Sequence, residues 1–233
     1  MGKFTINKEI FNFYNNLQIG VVVCNNINNS TSKEACNLLE KNIKNASKEL
    51  SELSNLTELS IIKDWRNAYK KFNEKKNRSS IESLLRRIYN NKPVSSINPL
   101  VDIYNSISIK YKLPCGGEDM DKFLNGNIEL TLSKGTENFL PLGSEESESP
   151  TVNEVIYKTE NTVICRCFNW RESDITKLTP NTRNAFLCIE CLNTNDTDAL
   201  NAAVNDLNKY ISTFLGGTCS TYILDSKNNT INF

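Results

Sequence analysis

An α+β fold is predicted from three observations. Helical periodicity dominates residues 31–111, β-branched and apolar strand-like runs dominate residues 128–192, and helices segregated from antiparallel-looking strands read as α+β and not as a doubly wound parallel sheet. At 233 residues the chain is long enough to bury a sizeable core in one body.

The elements follow in order. Residues 17–24 (LQIGVVVC) are β-branched and read as a buried strand, and Thr31 with Glu34 then forms a capping-box signal. Ala35, Leu38, Leu39, Ile43, Ala46, Leu50 and Leu53 recur at helical spacing, predicting an amphipathic helix to about Ser54. A second helix is expected from Thr57, with Ile61, Ile62, Trp65, Ala68, Tyr69 and Phe72 inward. A third starts at Ser79, where Glu82 completes another capping box. Asn98-Pro99 places a cap residue before proline at the first helical position, so a fourth helix should run to about Tyr111. On it Asn98, Asp102 and Asn105 share one polar stripe, facing either a pocket or water.

Residues 113–119 (LPCGGED) read as a loop by their proline and glycine content. Strands are expected over residues 128–132, 138–142, 155–158, 162–170 and 185–192, then a helix over 196–215 closed by Gly216-Gly217, and a final strand over 219–225. The domain division expected is residues 1–62 as a strand and helices continuous with the core, 63–226 as the main domain, and 227–233 as a tail strand.

Composition excludes several classes. The longest apolar runs are far too short for a bilayer, and the N-terminus lacks a secretory signal, so a cytoplasmic protein without a membrane partner is expected. The eight cysteines sit in apolar segments and read as reduced, buried thiols. Cys165-x-Cys167 and Cys188-x-x-Cys191 have the ligand count of a zinc site, but positions i and i+3 of a strand face opposite sides, so no metal and no cofactor is expected. The absence of histidine removes the usual general base and the Ser-His and Cys-His pairs. No phosphate-binding loop is present, because Gly116-Gly117-Glu118-Asp119 lacks the lysine and the spacing.

Net charge is zero but unevenly spread. Residues 63–92 hold ten basic residues against three acidic ones, a local +7, and residues 118–160 hold ten acids against three lysines. Lys70, Lys71, Lys75, Lys76, Arg78, Arg86 and Arg87 are the candidate RNA contacts, either a phosphate-binding footprint or a solvated helix face. Glu190, flanked by Cys188, Ile189, Cys191 and Leu192, is a carboxylate within an apolar strand, with Arg171 or Arg183 as its expected partner and a purely structural ion pair as the competing reading.

Four stretches in order carry a family resemblance: residues 97–102 (INPLVD) with Asn105, residues 113–119 (LPCGGED), residues 167–172 (CFNWRE), and Thr182-x-Asn184 with Glu190. Together they resemble the B3/B4 domain, the tRNA-binding and editing module of the phenylalanyl-tRNA synthetase beta subunit, in its free-standing form. The resemblance implies a helical N-terminal part packed on a mixed, mainly antiparallel core, with tRNA or an aminoacyl-tRNA ester as partner, or a free amino acid, and no DNA. Glu172 corresponds to the family's editing-pocket glutamate, which helps recognise a tyrosine hydroxyl. Asn169, Glu172 and Arg171 are then the candidate catalytic group, and Asn98, Asp102, Asn105, Glu118, Asp119, Thr182, Arg183 and Glu190 the candidate substrate-binding residues. Two departures stand out: Trp170-Arg171 replaces the synthetase's Gly-Gly, and Gly116 replaces a loop histidine. Two functions are therefore open, a trans-acting deacylase of mischarged aminoacyl-tRNA and a non-catalytic binding module for tRNA or an amino-acid-like molecule.

Overall fold

The computed structural model describes residues 2–72, 74, 76–123 and 126–233, so Lys75 of the basic segment lies outside the described residues. In chain order the elements are β1 (Lys3–Ile6), α1 (Lys8–Phe13), β2 (Gln18–Asn25), α2 (Lys33–Leu50), α3 (Ser60–Lys70), α4 (Ser80–Tyr89), α5 (Pro99–Tyr111), β3 (Cys115–Asp119), β4 (Asn127–Leu132), β5 (Val155–Thr159), β6 (Thr162–Arg166), β7 (Arg171–Glu172), β8 (Ala185–Cys191), α6 (Thr197–Phe214), β9 (Thr218–Leu224) and β10 (Thr230–Asn232). The α+β expectation holds. One sheet runs β10-β1-β4-β5-β6-β7, antiparallel except for the β1–β4 pair, and the other runs β3-β8-β2-β9, antiparallel throughout.

The apolar run of β2 is buried because it lies between β8 and β9, with α6 packed over it. A Cβ at Gly20 would stand 2.3 Å from Val204 Cγ2 of α6, so the glycine permits this close approach of helix to sheet. Helix α5 packs on α6 and β3, and α2 packs on α5 in turn, forming the helical layer. The opposite face of β8 meets the six-stranded sheet, where Phe186 packs edge-on against Phe4 with ring centroids 5.1 Å apart.

Several local expectations are corrected. The cap of α2 is Ser32, whose hydroxyl accepts from the Ala35 N–H, and the helix stops at Leu50. Thr57 lies in a 3-10 turn capped by Asn55 before α3 begins at Ser60. Ser79 does cap α4 through the Glu82 N–H, but the Glu82 side chain turns to arginines instead of closing the box. Residues 115–119, expected as a loop, form β3 against β8, where Gly117 leaves room for the Leu187 side chain of its neighbour. A Cβ at Gly117 would lie 2.2 Å from Leu187 Cδ2. Residues 138–142 make only isolated bridges, since Pro141 has no N–H to donate to a ladder. The long strand expected over 162–170 breaks at Cys167 and Phe168, both in the left-handed region with φ of 48° and 61°.

Candidate functional site

That break builds the site. Non-glycine residues at positive φ are strained unless packing holds them. Here Phe168 is fully buried, edge-on to Tyr14 and Trp65 at 5.1 and 5.4 Å, which anchors the turn. The chain reverses from β6 into β7 and presents Asn169 and Glu172 beside the other sheet.

Strand alternation decides which side chains meet. Across the six-stranded sheet, Tyr157 pairs with Cys165 and Cys165 with Glu172, so these three share one face. Arg171 pairs with Arg166 on the other face, where its guanidinium lies 5.9 Å from the Trp170 ring centroid. On β8, Phe186, Cys188 and Glu190 point toward the first sheet, opposite Glu118 and Gly116 of β3. Between the two sheets these residues line a cavity of about 40 Å³, with Ser80 from the first turn of α4 in its wall.

Three carboxyl groups line this cavity: Glu118, Glu172 and Glu190. Glu190 is 1% exposed and accepts from Tyr157 Oη at 2.8 Å and from Asn169 Nδ2. Burial pushes its pKa up to about 7, against the lowering effect of those two hydrogen bonds. Burial likewise raises Glu172 to about 7, opposed by the Gly117 N–H. Glu118 is driven well above the usual carboxylate range, first by burial and then by Glu172, although it accepts from Thr176 Oγ1 at 2.5 Å. The Cys115 thiol is also raised, mainly by burial.

The arrangement gathers Asn169, Glu172, Glu118 and Glu190 from the sequence-derived set and sends the others elsewhere. Asn98 caps α5, donates to the Leu178 carbonyl and accepts from Asn29. Asp102 accepts from Ser96 Oγ at 2.5 Å and the Ile97 N–H, tying down the turn before α5, so the polar stripe of that helix serves its own start. Asn105 is half-buried on α5 outside the cavity wall. Asp119 accepts from Thr182 Oγ1 at 2.7 Å, a pair that fixes the loop before β8. Arg183 is exposed and donates to the Ile27 carbonyl. Neither Arg171 nor Arg183 partners Glu190, because alternation points Arg171 away and Arg183 sits on the far side of the strand's entry. Tyr157 and Ser80 were missed, although a tyrosine in an apolar strand is a signal, since its buried hydroxyl needs a partner, and Cys165 and Cys188, weighed above as zinc ligands, line the cavity with Cys115 as thiols. Among the described residues no group of three or more histidine, cysteine or acidic side chains is arranged to hold a metal ion.

The basic segment borders this cavity. Asn169 Oδ1 accepts from the Ser80 N–H at 2.8 Å while its amide reaches Glu190, so one side chain ties the start of α4 to the site. Much of the positive charge is already engaged: Arg66, Arg78 and Arg86 converge on the fully buried Glu82 at 2.7, 3.5 and 2.8 Å. Lys71 donates to the Phe13 carbonyl at 2.5 Å and Arg87 to that of Pro93 at 2.8 Å. Lys70 donates to Asn67. Lys76 is exposed.

The family model of the B3/4 domain matches residues 64–216. The chain belongs to the B3/4 domain family. Its fold is similar to the crystal structure of an N-terminal fragment of the phenylalanyl-tRNA synthetase beta subunit from Pyrococcus horikoshii, at 12% identity and a TM-score of 0.50. That similarity covers 93% of this chain and 49% of the other, so this B3/4 chain spans about half the length of that fragment. Comparison with curated proteins gives no match. Among the described residues no helix is long and apolar enough to cross a membrane.

Proposed function

We propose that this B3/4 chain binds the acceptor end of an aminoacyl-tRNA and hydrolyses its ester, the aminoacyl group lying in the cavity between the sheets. The observation that carries this reading is the Asn169 bridge, which joins the first turn of the basic helix α4 to a carboxyl held near neutrality inside the cavity. A phosphate backbone lying along α3 and α4 would bring the 3′ end of an RNA to that opening. Lys70, Lys76 and Arg87 are the side chains best placed to meet phosphates, since Glu82 already balances Arg66, Arg78 and Arg86 in part.

In a chain without histidine, a carboxyl with a pKa close to the working pH is the natural proton acceptor. Glu172 in its ionised form takes a proton from a water molecule as that water attacks the ester carbonyl. The bond to the ribose oxygen then breaks, and the proton passes to that oxygen, giving free amino acid and an unmodified RNA end. Asn169, fixed from both sides, orients the reacting group.

The second reading, a binding module without turnover, is favoured by Gly116, which lines the cavity where the synthetase loop carries histidine. Release of amino acid from a panel of correctly and wrongly charged tRNAs separates the two, with Glu172→Ala alongside. Turnover abolished by the substitution supports the hydrolase, and no turnover on any member of the panel ends it. Combined reversal of Lys70, Lys76 and Arg87 to glutamate should weaken RNA binding and flatten its salt dependence, by about one in log–log slope for each phosphate no longer neutralised. An unchanged salt titration would remove α3 and α4 as the RNA surface.

A further inference from the structure

The cavity's chemistry is one-sided. Among the described residues its wall holds three carboxyl groups and no lysine or arginine, while Tyr157, Phe168 and Phe186 supply aromatic surface. Buried carboxyls need a partner of opposite charge or must stay protonated, and either state costs free energy relative to water. The carboxyl oxygens already have neutral donors from Tyr157, Asn169 and Thr176, yet among the described residues none has a cation. In addition, the Ser80 hydroxyl oxygen is buried in this wall with no hydrogen-bond partner among the described residues.

We propose that the group this cavity receives is an organic nitrogen cation, a protonated amine or guanidinium, and not a neutral phenol. The inference rests on the reading of the cavity as the aminoacyl site and names the side chain admitted there. A phenol hydroxyl donates one hydrogen bond, which one carboxylate satisfies. An ammonium brings three donors and a guanidinium five, together with the charge that three acids and aromatic faces attract. Among the described residues the acids make no group arranged to hold a metal ion, whereas a nitrogen cation with several donors can meet carboxyls one at a time. Glu172 lies close enough to Glu118 to raise its proton affinity, while Tyr157 and Asn169 hold Glu190 separately. A cation entering between them would bind ionised carboxylates and displace protons that the empty cavity retains.

Side-chain analogues test this without any chemistry at the ester. Calorimetric titration of the full chain at pH 7 compares 1-aminobutane and propylguanidine with 4-methylphenol and with 1-butanol, the neutral analogue of the amine. At least one cation should bind tenfold or more tightly than either neutral compound, and should release protons, read from its heat in two buffers of different ionisation enthalpy. Glu118→Gln and Glu190→Gln, each checked by thermal melting, should separately weaken the cation by tenfold or more while leaving the phenol unchanged. Which cation prevails tells a lysine-like from an arginine-like ligand. Equal binding of the phenol, or binding of none of the four, overturns the proposal. Cation binding without turnover on any aminoacyl-tRNA would keep this inference and end the hydrolase reading. Turnover confined to neutral side chains would do the reverse.

Discussion

Glu190→Gln separates the charge of a buried carboxyl from its shape. In the folded chain burial holds the Glu190 pKa at about 7, whereas the unfolded chain releases the same proton near the ordinary value of 4.5. Between those limits the folded state carries a proton that the unfolded state has lost, so stability falls as pH rises, at about 1.4 kcal/mol for each pH unit. The contribution is fully present below pH 4.5 and gone above pH 7. Between pH 5 and pH 8 it amounts to about 2–3 kcal/mol.

Glutamine keeps the volume and does not titrate. It replaces one acceptor by a donor, so Tyr157 or Asn169 loses its best match, at a cost of about 1–3 kcal/mol that is the same at every pH. Glu118 and Glu172 titrate in both proteins and cancel in the comparison. Urea unfolding of the two proteins at pH 5 and pH 8 therefore isolates Glu190: the parent should lose about 2–3 kcal/mol more than the variant on going from the lower pH to the higher. Parallel losses in the two proteins would refute the claim that this carboxyl is held protonated by burial.

Two further outcomes are expected. Glu82 is fully buried, which works to raise its pKa, but hydrogen bonds from Arg66 and Arg86 hold it below the usual range, so its contribution is present above pH 4.5 and is lost as pH falls through the folded value. Glu82→Gln at pH 7 should cost about 2 kcal/mol, less than a fully buried pair because the arginines are partly exposed, and an unchanged melting temperature would dismiss the network as a source of stability. Cys24 and Cys219 are paired directly across β2 and β9 with their sulfurs 3.3 Å apart. Oxidised glutathione should take up their two electrons and two protons and leave a cross-strand disulfide that raises the melting temperature, whereas a peptide map showing both thiols still free would reject that geometry.

What the sequence made legible was governed by local pattern, and what it hid was governed by pairing. Glu190 stood out as an acid inside an apolar strand, and the strand runs where the pattern placed it. Its partner did not stand out, because Tyr157 lies 33 residues away on another sheet, and only the register of β5, β6 and β7 brings that face to it. The same register sorts Glu172 inward and Arg171 outward, a distinction invisible when the two are read together as one polar cluster. Residues 115–119 misled in the opposite sense, since two glycines lower strand propensity, yet the missing side chain of Gly117 is what the close packing on Leu187 requires. The arginines of α4 were legible as a charge run but not as the shell of one buried carboxylate, because Glu82 was read as a cap.

Folding energetics alone do not account for the three acids. Apolar side chains of similar size at positions 118, 172 and 190 would fill the space between the sheets without the burial penalty that lifts these pKa values. Phe4, Phe186 and Tyr157 pack just such an interface one step away. Local rules are broken where a site is built and the surrounding fold bears the cost. Here the cost falls on β3, β7 and β8, whose neighbours on the same strands are buried or tightly paired, so the acids are held in place by a framework that does not itself need them. A histidine-free cavity with carboxyls poised near neutrality can accept a proton or a cation, and these two capacities are the ones that hydrolysis of an aminoacyl ester and recognition of its side chain would use.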